Sequence, residues 1–146
     1  MENTGIILQI KRSIKKGATE IIDQPVALIK DFGIEKDAHG KKGSRQLSLM
    51  TKINADAMTG IRDLGLCTQR FNENIMISDV DKDLLQPGAR ISFENAQIKI
   101  TEVGKTCFGC VLSETNQFCP LVDDVIFAAV CEEGIIKVGD RFEINI

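Results

Sequence analysis

Apolar residues in this chain come in short runs broken by glycine, proline, asparagine and aspartate, and one segment alone carries clear helical spacing. Runs of four to eight residues rich in β-branched side chains and bounded by turn formers are the signature of strands. Gly5 to Ile14 begins apolar and β-branched and turns basic. Val26 to Ile29, Leu47 to Leu49 and Asn74 to Ile77 are shorter strand candidates. After the Pro87-Gly88 turn, Arg90 to Phe93 and Gln97 to Val103 read as a hairpin with Glu94-Asn95 at its tip. Alternation in its second arm puts Ile98, Ile100 and Glu102 on one face and Lys99, Thr101 and Val103 on the other. Val125 to Cys131 is a continuous apolar run, the pattern of a strand covered on both sides. Glu132-Glu133-Gly134 reads as a turn. Ile135 to Val138 and Arg141 to Ile146 follow, separated by Gly139-Asp140.

The helical segment has Ile53, Ala57, Met58, Ile61 and Leu64 on one face, with Thr51 as N-cap and Gly65 as C-cap. Gly60 inside it costs about 1 kcal/mol against alanine. Many short strands with one or two short helices predict a mainly β, barrel-like domain.

With 146 residues, no repeat and no low-complexity linker, one domain spanning 1–146 is the expectation. A net charge of -3 and the absence of Trp and Tyr argue against a nucleic-acid partner. No apolar run reaches the ~20 residues that cross a bilayer. The first residues lack a basic stretch followed by an apolar one, so a cytoplasmic protein with no membrane association is expected.

The five cysteines, Cys67, Cys107, Cys110, Cys119 and Cys131, are odd in number, which argues against a disulfide framework. Cys107 and Cys110 form a C-x-x-C pair whose thiolates suit one tetrahedral metal or a redox disulfide. Cys119 and Cys131 would complete a structural zinc site. Against this, Cys131 ends an apolar run and reads as a small buried hydrophobe. Cys107 has a distinct setting behind Gly104-Lys105: the lysine favours a thiolate, which can bind a soft metal, carry sulfur or attack an electrophile. The residues alone leave these roles open beside that of an inert loop thiol.

Two further groups stand out. From Lys36 to Arg45 the chain holds Lys36, Lys41, Lys42 and Arg45 against the single acid Asp37, and three glycines flank the only histidine, His39. Such a loop either wraps an anion with backbone N–H groups and its cations or is a solvated surface loop. Arg70-Phe71-Asn72-Glu73-Asn74 precedes a strand candidate and suits a turn or a polar ligand.

Taken in chain order, these groups resemble the MOSC family, named for the C-terminal domain of molybdenum cofactor sulfurases. Gly33 to His39 resembles its G-[LI]-E-G-D-A-H signature, and Arg45 to Leu49 its H-R-Q-[VL]-S-L element. Phe71 to Ile75 resembles F-x-E-N-[IL], Leu85 to Ile91 the L-x-P-G-x-x-[IL] turn, and Gly104 to Cys107 the G-K-x-C motif. The resemblance covers nearly the whole chain and is closest to small stand-alone bacterial forms. It implies a MOSC-type β-barrel and a role with the molybdenum cofactor (pterin-bound molybdenum) or sulfur. Cys107 would be the persulfide carrier or molybdenum ligand and Arg45 the contact to the cofactor phosphate. Asp37, His39, Asn74 and Lys105 would be further cofactor-binding residues, and a molybdoenzyme or cofactor-biosynthesis protein the partner. Some relatives are molybdenum-dependent reductases of N-hydroxylated compounds; that activity and a structural zinc role are the alternatives. Three positions depart from the pattern: Lys36 replaces a glycine, Ser44 stands where histidine often precedes R-Q, and Phe108 follows Cys107 where histidine is common.

Overall fold

The computed structural model describes residues 3–15, 18–61, 71–104 and 124–146. Among them, seven strands close into a barrel. In order around the wall they are β1 (Thr4–Lys15), β11 (Arg141–Asn145), β7 (Arg90–Phe93), β8 (Gln97–Val103), β9 (Ile126–Glu132), β5 (Leu47–Thr51) and β6 (Ile75–Ile77), which returns to β1. A short strand, β2 (Ala18–Ile21), extends the wall from β1. A separate three-stranded sheet holds β10 (Gly134–Ile136), β3 (Val26–Ile29) and β4 (Gly33–Ile34).

All barrel pairings are antiparallel except β5 with β6. Parallel neighbours need a crossover, and the single described α-helix, α1 (Lys52–Ile61), leaves β5 at the start of that crossover. Alternation along the strands fills the barrel with Ile7, Ile10, Leu47, Leu49, Ile75, Ile77, Ile91, Ile98, Ile100, Ile126 and Ile144. A second cluster, Met50, Ala55, Met58, Val125 and Phe127, joins α1 to the strands. Residues of β5 thus pack into both clusters, which is why all five are buried. The expected mainly β, barrel-like class with a short helix is the fold observed.

Three local expectations need correction. Thr51 is the buried end of β5 rather than the cap of α1. Asp79 caps the helix instead, its carboxylate accepting from the Ile53 N–H at 3.0 Å. The helix therefore turns Ala55 and Met58 inward and leaves Ile53 66% exposed. Cys131 is only partly buried. The register passes from Ile98↔Val130 to Gln97↔Glu132, so Cys131 is the extra residue of a bulge. A second bulge changes β8: Ile100↔Ala128 is followed by Glu102↔Phe127, making Thr101 the extra residue. Alternation is broken there. Val103 packs against the barrel core, and Glu102 reaches Arg45 instead of continuing the Ile98–Ile100 face.

Gly33 and Lys36 show what the β4 segment demands. Gly33 has φ of 120°, and a Cβ there would lie 2.3 Å from the Gln46 carbonyl oxygen. Lys36, where the family pattern has glycine, sits at φ of 61°, a region that disfavours side chains. Gly33→Ala should cost about 3 kcal/mol, because the obstructing atom is backbone. Lys36→Gly should gain about 1 kcal/mol by relieving the left-handed conformation. Equilibrium urea unfolding of both variants reads the two opposite signs.

Candidate functional site

The loop that follows β4 carries Asp37 back against β1. Asp37 is 3% exposed, and its carboxylate accepts from the Ser13 N–H at 2.9 Å and from Asn74 Nδ2 at 3.2 Å. Asn74 Nδ2 also donates to the Lys11 carbonyl at 3.1 Å, and Asn74 Oδ1 accepts from the Ser48 N–H at 3.0 Å. The Asn74 N–H donates in turn to the Ser48 carbonyl at 3.0 Å. Beside this group, Glu73 is 2% exposed and pairs with Lys11 Nζ at 3.1 Å. A buried carboxylate is tolerable only when it is paired and hydrogen-bonded, and both Asp37 and Glu73 meet that condition. The knot ties β1, β5, the start of β6 and the β4–β5 loop together.

Asp37 and Asn74 are therefore brought together as members of a satisfied internal network. His39 lies two residues further on and is exposed, in a turn where the Gly40 N–H donates to the Asp37 carbonyl. Gln46 anchors the end of the same loop, accepting from the Val130 N–H at 2.9 Å and donating to the Gly43 carbonyl at 3.1 Å.

Arg45 belongs to a second group at one end of the barrel. Its Nε and Nη2 donate to the Glu102 carboxylate at 2.9 and 3.4 Å, and Ser44 Oγ donates to the same carboxylate at 3.1 Å. The guanidinium lies over the Phe127 ring, 4.4 Å from its centre, a favourable cation–π geometry. The hydroxyl of Thr101, the bulge residue, lies within hydrogen-bonding reach of the Ser44 and Phe127 carbonyls, its one proton shared between them. Hydrogen bonding from Arg45, and secondarily from Ser44, holds the Glu102 carboxyl below the usual glutamate range. The Arg45 and Glu102 side chains remain 40% and 38% exposed. Their pairing is thus fully formed above the ordinary glutamate pKa and is lost as pH falls through the lowered value.

The two groups share one level of the wall. Ser48 of the knot is the register partner of Phe127, which is in turn the partner of Glu102. Just beyond Glu102, the Gly104 N–H donates to the Val125 carbonyl at 2.7 Å, which pins together the two ends of segment 105–123. Cys107, Lys105, Cys110 and Cys119 fall in that segment and Cys67 in 62–70, so the expectations resting on them lie outside the described residues.

Among the described residues, no cluster of three His, Cys, Asp or Glu side chains is arranged to hold a metal. No described helix is long and apolar enough to cross a membrane. An open cavity of about 770 Å³ lies along the junction of β1, β11 and β7, lined by Gly5, Ser78, Glu94, Arg141 and Phe142 among others, and contains none of the sequence-predicted residues. The residue pattern alone marks neither Glu102 nor Phe127 as a site residue, and it does not pair Glu73 with Lys11. Glu102 was assigned to the Ile98–Ile100 face, and nothing in the residue pattern marks the bulge that turns it out.

No protein-family model matches the chain, and no curated protein does. Solved structures do. The YuaD protein from Bacillus subtilis superposes with a TM-score of 0.70 at 17% identity, over 97% of this chain and 95% of that one. YiiM from Escherichia coli gives 0.61 at 14% identity, over 97% of this chain and 70% of that one. YiiM from Geobacillus stearothermophilus gives 0.54 at 11%, over 99% and 75%. At these identities the likeness establishes the barrel fold shared by nearly the entire chain.

The two polar groups should respond differently to truncation. Asn74→Ala leaves the Ser48 N–H, the Lys11 carbonyl and Asp37 short of partners in a buried site, and should lower unfolding free energy by about 3 kcal/mol. Arg45→Ala removes an exposed pair and should change it by less than about 1 kcal/mol. Urea denaturation at neutral pH compares them directly.

Proposed function

We propose that this chain is a molybdenum-cofactor-binding or sulfur-carrier module, in which Cys107 is the persulfide carrier or molybdenum ligand and Arg45 the contact for the cofactor phosphate. The support is the agreement of two likenesses. Ordered sequence motifs resemble the MOSC family, and the fold resembles YuaD and YiiM, proteins of the MOSC type. One observation carries the reading furthest. Three of the motifs meet in the described structure: the Gly33 backbone packs on Gln46, and Asp37 and Ser48 both bond Asn74. Another, Gly104 to Cys107, begins two residues after the carboxylate that binds Arg45.

The donor set fits the anionic part of such a cofactor. Arg45 and Ser44 direct N–H and O–H groups at one exposed point, chemistry suited to phosphate oxygens. Asp37 and Asn74 spend their hydrogen bonds internally, so their part is to hold the β4–β5 loop in place. Lys105 beside Cys107 would favour the thiolate, the form that binds molybdenum or attacks a sulfur donor. The bound cofactor would bring a redox-active molybdenum centre to this end of the barrel. In this reading the acceptor or donor partner is a molybdoenzyme or a cofactor-biosynthesis protein.

Anaerobic incubation with molybdenum cofactor, followed by gel filtration and metal analysis, tests the proposal. The unmodified protein should retain near-stoichiometric molybdenum and the Cys107→Ala protein should lose most of it. Equal retention by both would remove Cys107 as ligand. Zinc without molybdenum in the unmodified protein would replace this reading with a structural zinc site.

A further inference from the structure

We propose that Glu102 is an internal competitor for the Arg45 site: its carboxylate occupies the anion cradle and sets an affinity threshold that phosphate dianions pass and singly charged carboxylates do not. The inference rests on the reading of Arg45 as a phosphate contact and adds the residue that decides what Arg45 accepts.

The cradle is already built around an anion. Arg45 Nε, Arg45 Nη2 and Ser44 Oγ converge on the one Glu102 carboxylate at 2.9, 3.4 and 3.1 Å. Glu102 is there because of the Thr101 bulge, which re-aims its side chain from the barrel face toward the loop. Thr101 secures the bulge with its hydroxyl, whose one proton is shared between the Ser44 and Phe127 carbonyls. Phe127 supports the guanidinium from below, so Arg45 keeps its position when the carboxylate swings away. Both partners are more than a third exposed, and pairs of this kind are easily broken.

Charge decides which ligand displaces Glu102. A free carboxylate offers the same group and the same single charge, and it competes against a partner whose effective concentration is high because it is tethered. A phosphate monoester carries nearly two charges near neutral pH and three strong acceptor oxygens. It gains more from Arg45 and from Ser44, and from the neighbouring basic loop with its exposed Lys41 and Lys42. Glu102 therefore lowers affinity for every anion by a common factor, which matters most for the weaker ones.

The experiment is calorimetric titration of the cofactor-free protein with inorganic phosphate and with acetate, at about pH 8 where phosphate is mainly dianionic. The unmodified protein should bind phosphate much more tightly than acetate. Glu102→Gln should bind phosphate roughly fivefold tighter, the scale of one exposed ion pair no longer broken, and should bind acetate tighter by the same factor. Arg45→Ala should bind neither. Glu102→Ala should repeat the gain, which guards against a new amide contact in the glutamine variant. Unchanged or weaker phosphate binding in both Glu102 variants overturns the competitor role, as does acetate binding by the unmodified protein at the strength of phosphate. Molybdenum retention reports separately. Retention without phosphate binding at Arg45 leaves the cofactor reading and removes the competitor role, and the converse leaves that role serving another phosphate-bearing ligand.

Discussion

One strand, β1, makes the barrel possible. Its first residues pair with β11, its middle with β6 and its last with β2. Without the first of these pairings the wall would be an open sheet with exposed edges, each a template for unwanted association. Ile7 and Ile10 seal the interior at 1% and 0% exposure. The same strand, past the barrel proper, supplies Lys11 and the Ser13 N–H to the polar knot. Closure of the barrel and support of the β4–β5 loop are thus two effects of one twelve-residue strand.

That loop depends on buried polarity, which is costly unless fully paired. Among the described residues no buried side-chain nitrogen or oxygen lacks a hydrogen bond. Asp37, Asn74 and Ser48 satisfy one another, and Glu73 is matched by Lys11. The arrangement fixes backbone positions rather than exposing reactive groups. It frees the neighbouring Ser44 and Arg45 to remain at the surface, on a loop whose other end is anchored by Gln46 to Val130. A rigid interior beside an exposed cation is the division expected where a small domain holds a charged ligand on a fixed scaffold.

Much of the wall was legible in the residue pattern. Val26–Ile29, Arg90–Phe93 and Gln97–Val103 coincide with their expected spans, because flanking turn residues bound all three, with alternation marking the last. Ala18–Ile21 and Gly33–Ile34 escaped notice; they are short and take their strand character from their neighbours, not from their own composition. The helix was found and Met58 lies on its buried face as expected, but Ile53 turns outward: a distant carboxylate, Asp79, caps its start. The bulges at Thr101 and Cys131 were invisible for the same reason, since each is fixed by pairing across strands. In the site, Asp37, Arg45 and Asn74 were recognisable as a set only through the family resemblance. Their division into an internal knot and an exposed cradle depends on contacts between residues tens of positions apart, which spacing alone does not encode.

The proposed ligand site lies at the end of the barrel where β8 and β9 meet the Arg45 loop, away from the cavity along β1, β11 and β7. Backbone amide shift mapping during titration with the metal-free pterin phosphate of the cofactor tests that placement most directly. The account predicts shifts concentrated at residues 43–48, 101–104 and 126–128, with residues 4–6 and 141–143 unmoved. Shifts confined to residues 4–6, 92–94 and 141–143 would contradict it and move the binding site to the other face of the barrel.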